Sequence, residues 1–166
     1  MGTCINWYIK YQFNDPVRIL SMRLAQRTDY ALRVLMHLAV MRDVVSVGEV
    51  ATRFGLSQHH VMKVAQELAR AGWVAAQRGR GGGLTLAVEP KALKIGDVVR
   101  RFEPDFRLVE CFDPAANDCI ITKACRLRGT LERALTSFLE CLDAVTLADL
   151  MDDRPALAQL LRIKAA

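Results

Sequence analysis

The sequence predicts a mainly α-helical fold that carries one small β-hairpin. Leu, Ala and Val supply most of the apolar residues, which favours helix, whereas aromatic residues make up only 7% of the chain. Apolar positions recur at helical spacing in most segments. Strand-like alternation occurs only on either side of a glycine-rich turn at residues 78–83. With 166 residues, 52% of them hydrophobic and 25% charged, the composition excludes a mostly disordered chain.

Residues 1–21 are expected to be an N-terminal extension outside the fold. They lack the continuous apolar core and the cleavage site of a signal peptide, and Met22-Arg23-Leu24 is typical of a natural start. No apolar run reaches the roughly 18 residues that span a membrane. The five cysteines are an odd number, which argues against a fully paired set of disulfides. We therefore expect a cytoplasmic protein with no membrane partner.

The first helix is expected over residues 25–42. Its apolar residues recur at the spacing of one helix face and include Tyr30, Val34, Leu38 and Met41. Thr28 and Asp29 precede the apolar run, where capping residues belong. His37 lies within this apolar helix and is expected to be packed in the core.

Two further helices, over residues 46–54 and 57–71, are expected to form a helix-turn-helix. Ala51 allows the two helices to approach closely, and Gly55 takes the turn conformation that is disfavoured for residues with a Cβ. Val61 then packs the second helix of the pair onto the first. A small residue, a glycine and a valine at this spacing are typical of a DNA-binding helix-turn-helix.

A β-hairpin follows the helix pair directly. Strands are expected over 73–77 and 84–87, because four glycines in the six residues between them hold neither helix nor strand. A short helix over 95–102 comes next. Together these elements predict a winged helix-turn-helix domain over residues 22–102.

The rest of the chain changes in character. Residues 103–128 have little periodicity and contain three cysteines. A long amphipathic helix is expected over 129–143, and Thr146 is expected to cap a last short helix, Leu147 to Met151. Residues 154–166 are assigned to a C-terminal tail.

The charge is concentrated in the predicted winged domain. Residues 22–101 carry 13 basic and 6 acidic side chains, a net charge of +7, whereas residues 102–166 carry a net charge of −3. A basic segment favours a polyanionic partner, because contacts to phosphates release counterions. Double-stranded DNA is therefore the expected partner of the winged domain.

The candidate DNA contacts lie at the start of the third helix and at the hairpin tip. The start of a recognition helix reaches base edges in the major groove, and glycines let the backbone approach a phosphate. The candidates are Ser57, Gln58, His59, His60, Lys63, Arg78, Arg80, Gly81 and Gly82. A zinc site at the two histidines is disfavoured, because this helix offers no further ligands.

Three cysteines, Cys111, Cys119 and Cys125, are clustered within fifteen residues. Clustered thiols in a cytoplasmic chain favour metal or redox chemistry, and thiolates suit zinc or an iron–sulfur cluster. An iron–sulfur cubane needs a fourth ligand. By residue type Cys141 is the fourth candidate, but it is expected to be a buried core residue of the long helix, which leaves a carboxylate, a histidine or a small molecule. A redox disulfide or three unrelated thiols remain alternatives.

Several motifs closely resemble the NsrR-type repressors, which belong to a family of winged-helix regulators that also includes IscR. The resemblance covers residues 22–153 in order. The segments that carry it are MRLAQRTDYALRVLMHLA at 22–39, RGRGGGLTL at 78–86, IGDVVRRFEP at 95–104, ACRLRGTLERAL at 124–135 and TLADL at 146–150.

The resemblance implies a homodimer whose dimerisation helix and short terminal helix span residues 129–153. It also implies one nitric-oxide-sensitive [4Fe-4S] cluster per subunit, held by the three clustered cysteines. The fourth ligand would be Asp29 of the partner subunit. A [2Fe-2S] cluster is the alternative, but the histidine that IscR-like relatives place three residues after the last cysteine is replaced here by Arg128.

In relatives of this type, the cluster form represses nitric-oxide detoxification genes, and nitric oxide releases the operator. A regulator that responds to iron, cluster status or thiol redox state is the alternative on the same scaffold, and a pure protein-interaction module is a second. An enzyme is disfavoured, because the glycine run at 79–83 is neither a dinucleotide-binding nor a phosphate-binding motif.

Overall fold

The computed structural model describes residues 23–79, 81–152 and 154–163. The expected N-terminal extension and Arg80 lie outside these ranges. Six α-helices and two strands follow one another along the described chain: α1 Gln26–Met41, α2 Val47–Phe54, α3 Gln58–Arg70, β1 Val74–Gln77, β2 Gly83–Leu86, α4 Ile95–Phe102, α5 Arg126–Asp143 and α6 Arg154–Ile163. The prediction of a mainly helical fold with one antiparallel hairpin is confirmed.

Helix α1 is the centre of the core. Its fully buried face includes Val34, Leu35 and Leu38, and it packs against α3 and α4. Phe102, at the end of α4, is also fully buried. His37 has no exposed surface, so the expectation of a packed core histidine is confirmed.

The helix-turn-helix forms as its sequence predicts. The hydroxyl oxygen of Ser46 caps α2 by accepting a 3.0 Å hydrogen bond from the amide of Glu49. Gly55 ends α2 at φ +65°, a left-handed conformation that glycine adopts without strain. Ala51 and Val61 are both buried between the two helices. The exposed face of α3 is thereby fixed relative to α1 and α2.

The hairpin is tied to the helices by a third backbone segment. The amide of Val45 donates to the carbonyl of Leu84, and the amide of Leu84 donates to the carbonyl of Val45, at 2.9 and 2.8 Å. A Cβ at Gly83 would lie 2.6 Å from the Val45 carbonyl oxygen, so this close approach needs glycine. The wing is therefore held in place by the loop between α1 and α2.

Four expectations about the helices need correction. Thr28 and Asp29 do not cap α1, because the helix already begins at Gln26, after Ala25. Helix α5 begins at Arg126 rather than at residue 129. The last short helix is reduced to a single 3-10 turn, Asp149–Met151. Part of the expected tail is the helix α6. None of the helices in the described ranges is both long and apolar enough to cross a membrane.

Candidate nucleic-acid interface and metal ligands

One face of α3 is open to solvent along the whole helix. Val61, Val64 and Leu68 are buried on the opposite face. The exposed line recurs at positions i, i+4, i+7 and i+11 and consists of His59, Lys63, Gln66 and Arg70. The sequence argument named the first two and missed Gln66 and Arg70, although the helical period itself could have identified them.

The other residues at the start of α3 lie beside this exposed line of side chains. Ser57 precedes the helix and is exposed, but its side chain makes no capping hydrogen bond. The Gln58 amide lies over Gly48 of α2, where an added Cβ would be 3.3 Å from its Nε2. The His60 ring lies 6.3 Å from the Tyr30 ring and 5.9 Å from the His59 ring. His59 and Lys63 are therefore the most freely presented of the expected contacts.

The hairpin tip has the exposed cation and the turn conformations that the sequence predicts. Arg78 is exposed directly after β1. Gly79 and Gly81 have φ values of +104° and +80°. A Cβ at Gly82 would lie 2.4 Å from the carbonyl oxygen of Gln77. The hairpin itself therefore requires glycine at position 82, independently of any contact with DNA.

A groove of about 840 Å³ separates α3 from the hairpin. Its walls combine apolar side chains such as Met62 and Leu84 with two glutamines and two arginines, Arg70 and Arg78. No carboxylate is among the described residues that line it. The groove thus joins the exposed line of α3 to the wing as one cationic surface.

The three clustered cysteines lie in the segment between α4 and α5. Cys111 is in a 3-10 turn, Glu110–Phe112, and Cys125 immediately precedes α5. Together with Cys119 they are partly buried, and they form no disulfide among the described residues. The expected core position of Cys141 is wrong, because that thiol is only partly buried.

Local polar contacts shape the cysteine segment. Glu110 accepts a 2.7 Å hydrogen bond from the amide of Asp118. Asn117 accepts one from the amide of Cys119 at 3.2 Å, and the Thr122 hydroxyl donates to the Cys119 carbonyl at 2.8 Å. No side chain of this segment is fully buried. Its conformation therefore depends on turns rather than on a core.

The donor chemistry of this segment suits a thiolate-bound cluster. Thiolate sulfur is the ligand type that iron–sulfur clusters use. Within the described residues, however, no three His, Cys, Asp or Glu side chains are close enough together to hold a metal ion. A single chain therefore supplies the donors but does not assemble them.

Asp29 is engaged within its own helix. Its two carboxylate oxygens pair with Arg33 Nε and Nη2 at 2.9 and 2.8 Å, one turn further along α1. Both side chains are about two-fifths exposed, at 43% and 42%. The carboxylate is thus accessible from outside the chain, and Arg33 occupies both of its oxygens.

Glu103, which the sequence argument missed, joins the start of α1 to the end of α4. Its Oε1 accepts hydrogen bonds from the amide of Ala25 at 2.8 Å and from the hydroxyl of Thr28 at 2.5 Å. Arg27 Nε donates to the carbonyl of Phe102 at 2.6 Å. These bonds fix the first turn of α1, which contains Asp29, to the residue that begins the cysteine segment.

His37 is the buried titratable group of the domain. Within the described chain neither ring nitrogen has a hydrogen-bond partner, and Nε2 lies 3.8 Å from a carboxylate oxygen of Glu49. Burial lowers the pKa of His37 below 6.5, and the neighbouring Arg53 lowers it further, whereas Glu49 opposes the shift. The ring is therefore held neutral between α1 and α2.

Comparison with protein families gives one match over most of the chain. Residues 24–153 match Rrf2, a family described as iron-dependent transcriptional regulators. The transcriptional regulator NsrR of Geobacillus kaustophilus is 44% identical over 143 residues, which are 85% of this chain and 97% of that protein. NsrR of Bacillus subtilis is 41% identical over 145 residues, which are 86% of this chain and 99% of that protein.

Solved structures agree with this assignment. IscR of T. potens is 30% identical, with a TM-score of 0.62 over 80% of this chain and 88% of that one. CymR of B. subtilis, described as a global cysteine regulator, is 29% identical, with a TM-score of 0.60 over 78% and 96% of the two chains. These relatives are regulators, so the protein is not an enzyme. The chain belongs to the Rrf2 family of transcriptional regulators.

Proposed function

We propose that the protein is a homodimeric repressor that senses nitric oxide through a [4Fe-4S] cluster, one per subunit. It binds operator DNA in the cytoplasm and releases it when nitric oxide attacks the cluster, which derepresses nitric-oxide detoxification genes. The observation that carries the proposal is the combination of a cationic, carboxylate-free groove with a three-thiol segment in a chain 41–44% identical to two NsrR regulators.

The surface of α3 and the wing supports DNA binding. In a winged helix-turn-helix, the recognition helix lies in the major groove and its exposed residues face base edges and phosphates. Here that face offers His59, Lys63, Gln66 and Arg70, and Arg78 stands across the groove. The positive charge of residues 22–101 attracts the duplex as a whole. We assign base contacts to the start of α3 and phosphate contacts to the arginines.

The open face of α5 supports a dimer. No residue of this 18-residue helix is fully buried. Its partly buried apolar side chains lie on one side and include Leu131, Leu135, Phe138, Leu139 and Leu142. A helix whose apolar stripe is only partly covered by its own chain gains free energy when a second copy covers the rest. A two-fold dimer also presents two recognition helices to two half-sites.

Cys111, Cys119 and Cys125 of one subunit and Asp29 of the partner subunit would hold the cluster. When bound, the cluster supplies iron that reacts with nitric oxide; a [2Fe-2S] cluster is the alternative. The residues of the chain would transmit a change at the cluster to the recognition helix. To serve as a ligand, Asp29 must leave Arg33, and its helix α1 packs directly against the recognition helix α3. Loss of the ligand would return Asp29 to Arg33 and alter the spacing of the two recognition helices.

Cys119→Ala tests the ligand assignment. We expect this variant to fold, to dimerise and to contain no sulfide after anaerobic reconstitution, whereas the matched Cys141→Ala variant retains the wild-type content. Asp29→Ala should alter cluster stability or the response to nitric oxide. Wild-type iron and sulfide in Cys119→Ala would refute the thiol ligand set. An unchanged spectrum and DNA affinity in Asp29→Ala would leave this carboxylate as a partner of Arg33 only.

Arg78→Ala tests the DNA interface. Removing one phosphate contact should weaken binding to all sequences alike and reduce the salt slope of log K by about 1. We expect Arg80→Ala to weaken DNA binding and to lower its salt dependence in the same way. Fluorescence anisotropy at several salt concentrations measures both quantities. Lys91→Ala, which removes an exposed positive charge that lies outside the groove, is the matched control. An unchanged slope for both wing variants would remove the wing from the interface.

A regulator that responds to thiol redox state or to iron is the second candidate. Two observations favour it: the three thiols are not assembled around one point in the described chain, and the structural relatives include a cysteine regulator. Iron and sulfide content after anaerobic reconstitution separates the two candidates. A colourless protein without sulfide whose DNA affinity changes on thiol oxidation would favour the second.

A further inference from the structure

Of the seven exposed large apolar residues of the described chain, four lie between residues 108 and 127, in the cysteine segment and the first turn of α5, whereas Met62 of α3 and Leu160 of α6 lie elsewhere. Ile120 is 97% exposed, and Ile121 and Leu127 are 59% and 61% exposed. Leu108 and Leu24 follow at 39% and 40%. Single exposed apolar residues are ordinary, but a local concentration of them marks an interaction surface.

Ile120 makes almost no contact within its own chain. It lies beside Cys119 and before the 3-10 turn Thr122–Ala124, where it projects from a segment that local polar bonds hold in shape. Leu127, in the first turn of α5, continues this apolar surface onto the face of α5 that the proposed dimer buries. A second copy of the chain is therefore the partner that we expect on this surface.

A cavity of about 200 Å³ lies further along α5, beside the middle of the helix. It opens where the residues before α1 and the start of the cysteine segment meet α5. Its lining combines five apolar residues, Leu24, Phe106, Leu108, Leu135 and Phe138, with four charged ones, Arg23, Glu103, Asp105 and Arg107. Leu135 and Phe138 belong to the partly covered stripe of α5, so the cavity is continuous with the surface proposed for the dimer.

We propose that Ile120 inserts into this cavity of a second copy, with Ile121 beside it. This inference rests on the proposed function in one respect, the approach of Cys119 to Asp29 of the partner subunit. Leu24, which lines the cavity, precedes Asp29 by five residues. A segment that brings Cys119 to the partner's Asp29 therefore brings the neighbouring Ile120 to the foot of the same helix.

Two-fold symmetry makes the contact reciprocal, because each copy contributes one isoleucine and one cavity. The two contacts lie on either side of the α5 pair. They exclude water from the cysteine segment, and the apolar shell around a metal site controls solvent access to it. Ile120 is thus a positioning residue that joins dimerisation to protection of the thiols.

Sedimentation of the cluster-free full-length chain over a dilution series tests the contact. Ile120→Ser should raise the dimer dissociation constant at least tenfold, which corresponds to about 1.4 kcal/mol, and leave the far-ultraviolet circular dichroism unchanged. Met62→Ser removes a similarly apolar side chain that is 46% exposed in the wing groove, and it should leave the dissociation constant unchanged. Equal dissociation constants for wild type and Ile120→Ser would overturn the proposal.

A double-mutant cycle tests the pairing itself. Because Ile120 is almost fully exposed within one chain, any coupling between Ile120→Ser and Leu108→Ala must act between copies. We expect the double variant to dimerise little worse than either single variant. Strictly additive losses would contradict insertion into this cavity.

Alkylation of the thiols in the cluster-free dimer gives a second readout. Ile120→Ser should increase the rate at which iodoacetamide modifies Cys119 several-fold, and an unchanged rate would contradict the shielding role.

Different results would contradict the isoleucine contact and the proposed function. If the wild-type dimer assembles a cluster and binds its operator while Ile120→Ser behaves identically, only the isoleucine contact is wrong. If the wild type neither dimerises nor binds DNA, the proposed function itself is wrong.

Discussion

Replacing Glu103 by alanine is expected to lower the free energy of unfolding of the cluster-free protein by about 2 kcal/mol. The change removes the acceptor of two hydrogen bonds, from the amide of Ala25 and from the hydroxyl of Thr28. Hydrogen bonds to a charged group contribute about 1.5–3 kcal/mol each. Glu103 is only partly buried, so water replaces part of the loss, whereas Thr28 is fully buried and its hydroxyl loses this partner.

The assay is thermal unfolding followed by circular dichroism at one fixed protein concentration, because a dimer's melting temperature depends on concentration. For a chain of this size, about 2 kcal/mol corresponds to a fall in Tm of about 4–8 °C. Glu103→Gln keeps an acceptor oxygen but removes the charge, and should lose about half as much. Thr28→Val removes only the hydroxyl, and its loss should overlap with that of Glu103→Ala in the double variant.

A fall in Tm of less than about 1 °C in Glu103→Ala would refute this reasoning, since it would mean that the two bonds contribute nothing net. Additive losses in the Thr28 and Glu103 double variant would refute the direct contact between them. The hydrogen bond from Arg27 Nε to the Phe102 carbonyl would then remain as the link between α1 and the end of α4.

Three further predictions follow from single contacts. Ser46→Ala should lower the unfolding free energy by about 1 kcal/mol because it removes a cap, whereas Ser57→Ala, which removes no capping bond, should change denaturant stability by less than about 0.5 kcal/mol. Burial lowers the pKa of His37 below 6.5, so the unfolded chain binds the proton more readily; stability should be full above about pH 6.5 and fall below it, and denaturant titrations of His37→Gln should show a shallower fall. Gly82→Ala places a Cβ 2.4 Å from a carbonyl oxygen of the hairpin and should reduce DNA affinity without loss of helix signal, whereas Gly129→Ala, whose nearest neighbour lies 3.7 Å away, should raise the melting temperature.

The sequence predicted the elements whose signals are local. The left-handed turn at Gly55 and the glycine-rich hairpin tip each depend on the chemistry of one residue or a few neighbours. The buried face of α1 follows directly from its apolar period. These features hold because no distant contact opposes the local preference.

Distant contacts decide the features that the sequence did not predict. Thr28 has the chemistry of a capping residue, but Glu103, 75 residues away, accepts its hydroxyl hydrogen bond, and the helix begins earlier. The hydrogen bonds that join Glu103 to α1 leave no periodic pattern in the sequence from which they could be predicted. Arg70 was not predicted for a different reason. Only the start of α3 was considered as a DNA contact, although the exposed line continues to the end of the helix.

The candidate cluster site could be predicted only as a set of ligands. The spacing of Cys111, Cys119 and Cys125 identifies three donors, but not where they meet. Their segment has no core of its own, and Asp29 is paired with Arg33 in the single chain. The assembled site depends on a second copy, which no pattern within one chain specifies.

The most direct test of the central proposal is an anaerobic one. The protein is purified without oxygen, and its visible spectrum, iron and sulfide are measured before and after nitric oxide is added. The account predicts about four irons and four sulfides per chain, a spectrum that nitric oxide changes and operator binding that is lost with it. A colourless protein that contains no sulfide after anaerobic reconstitution, or operator binding that nitric oxide leaves unchanged, would contradict it.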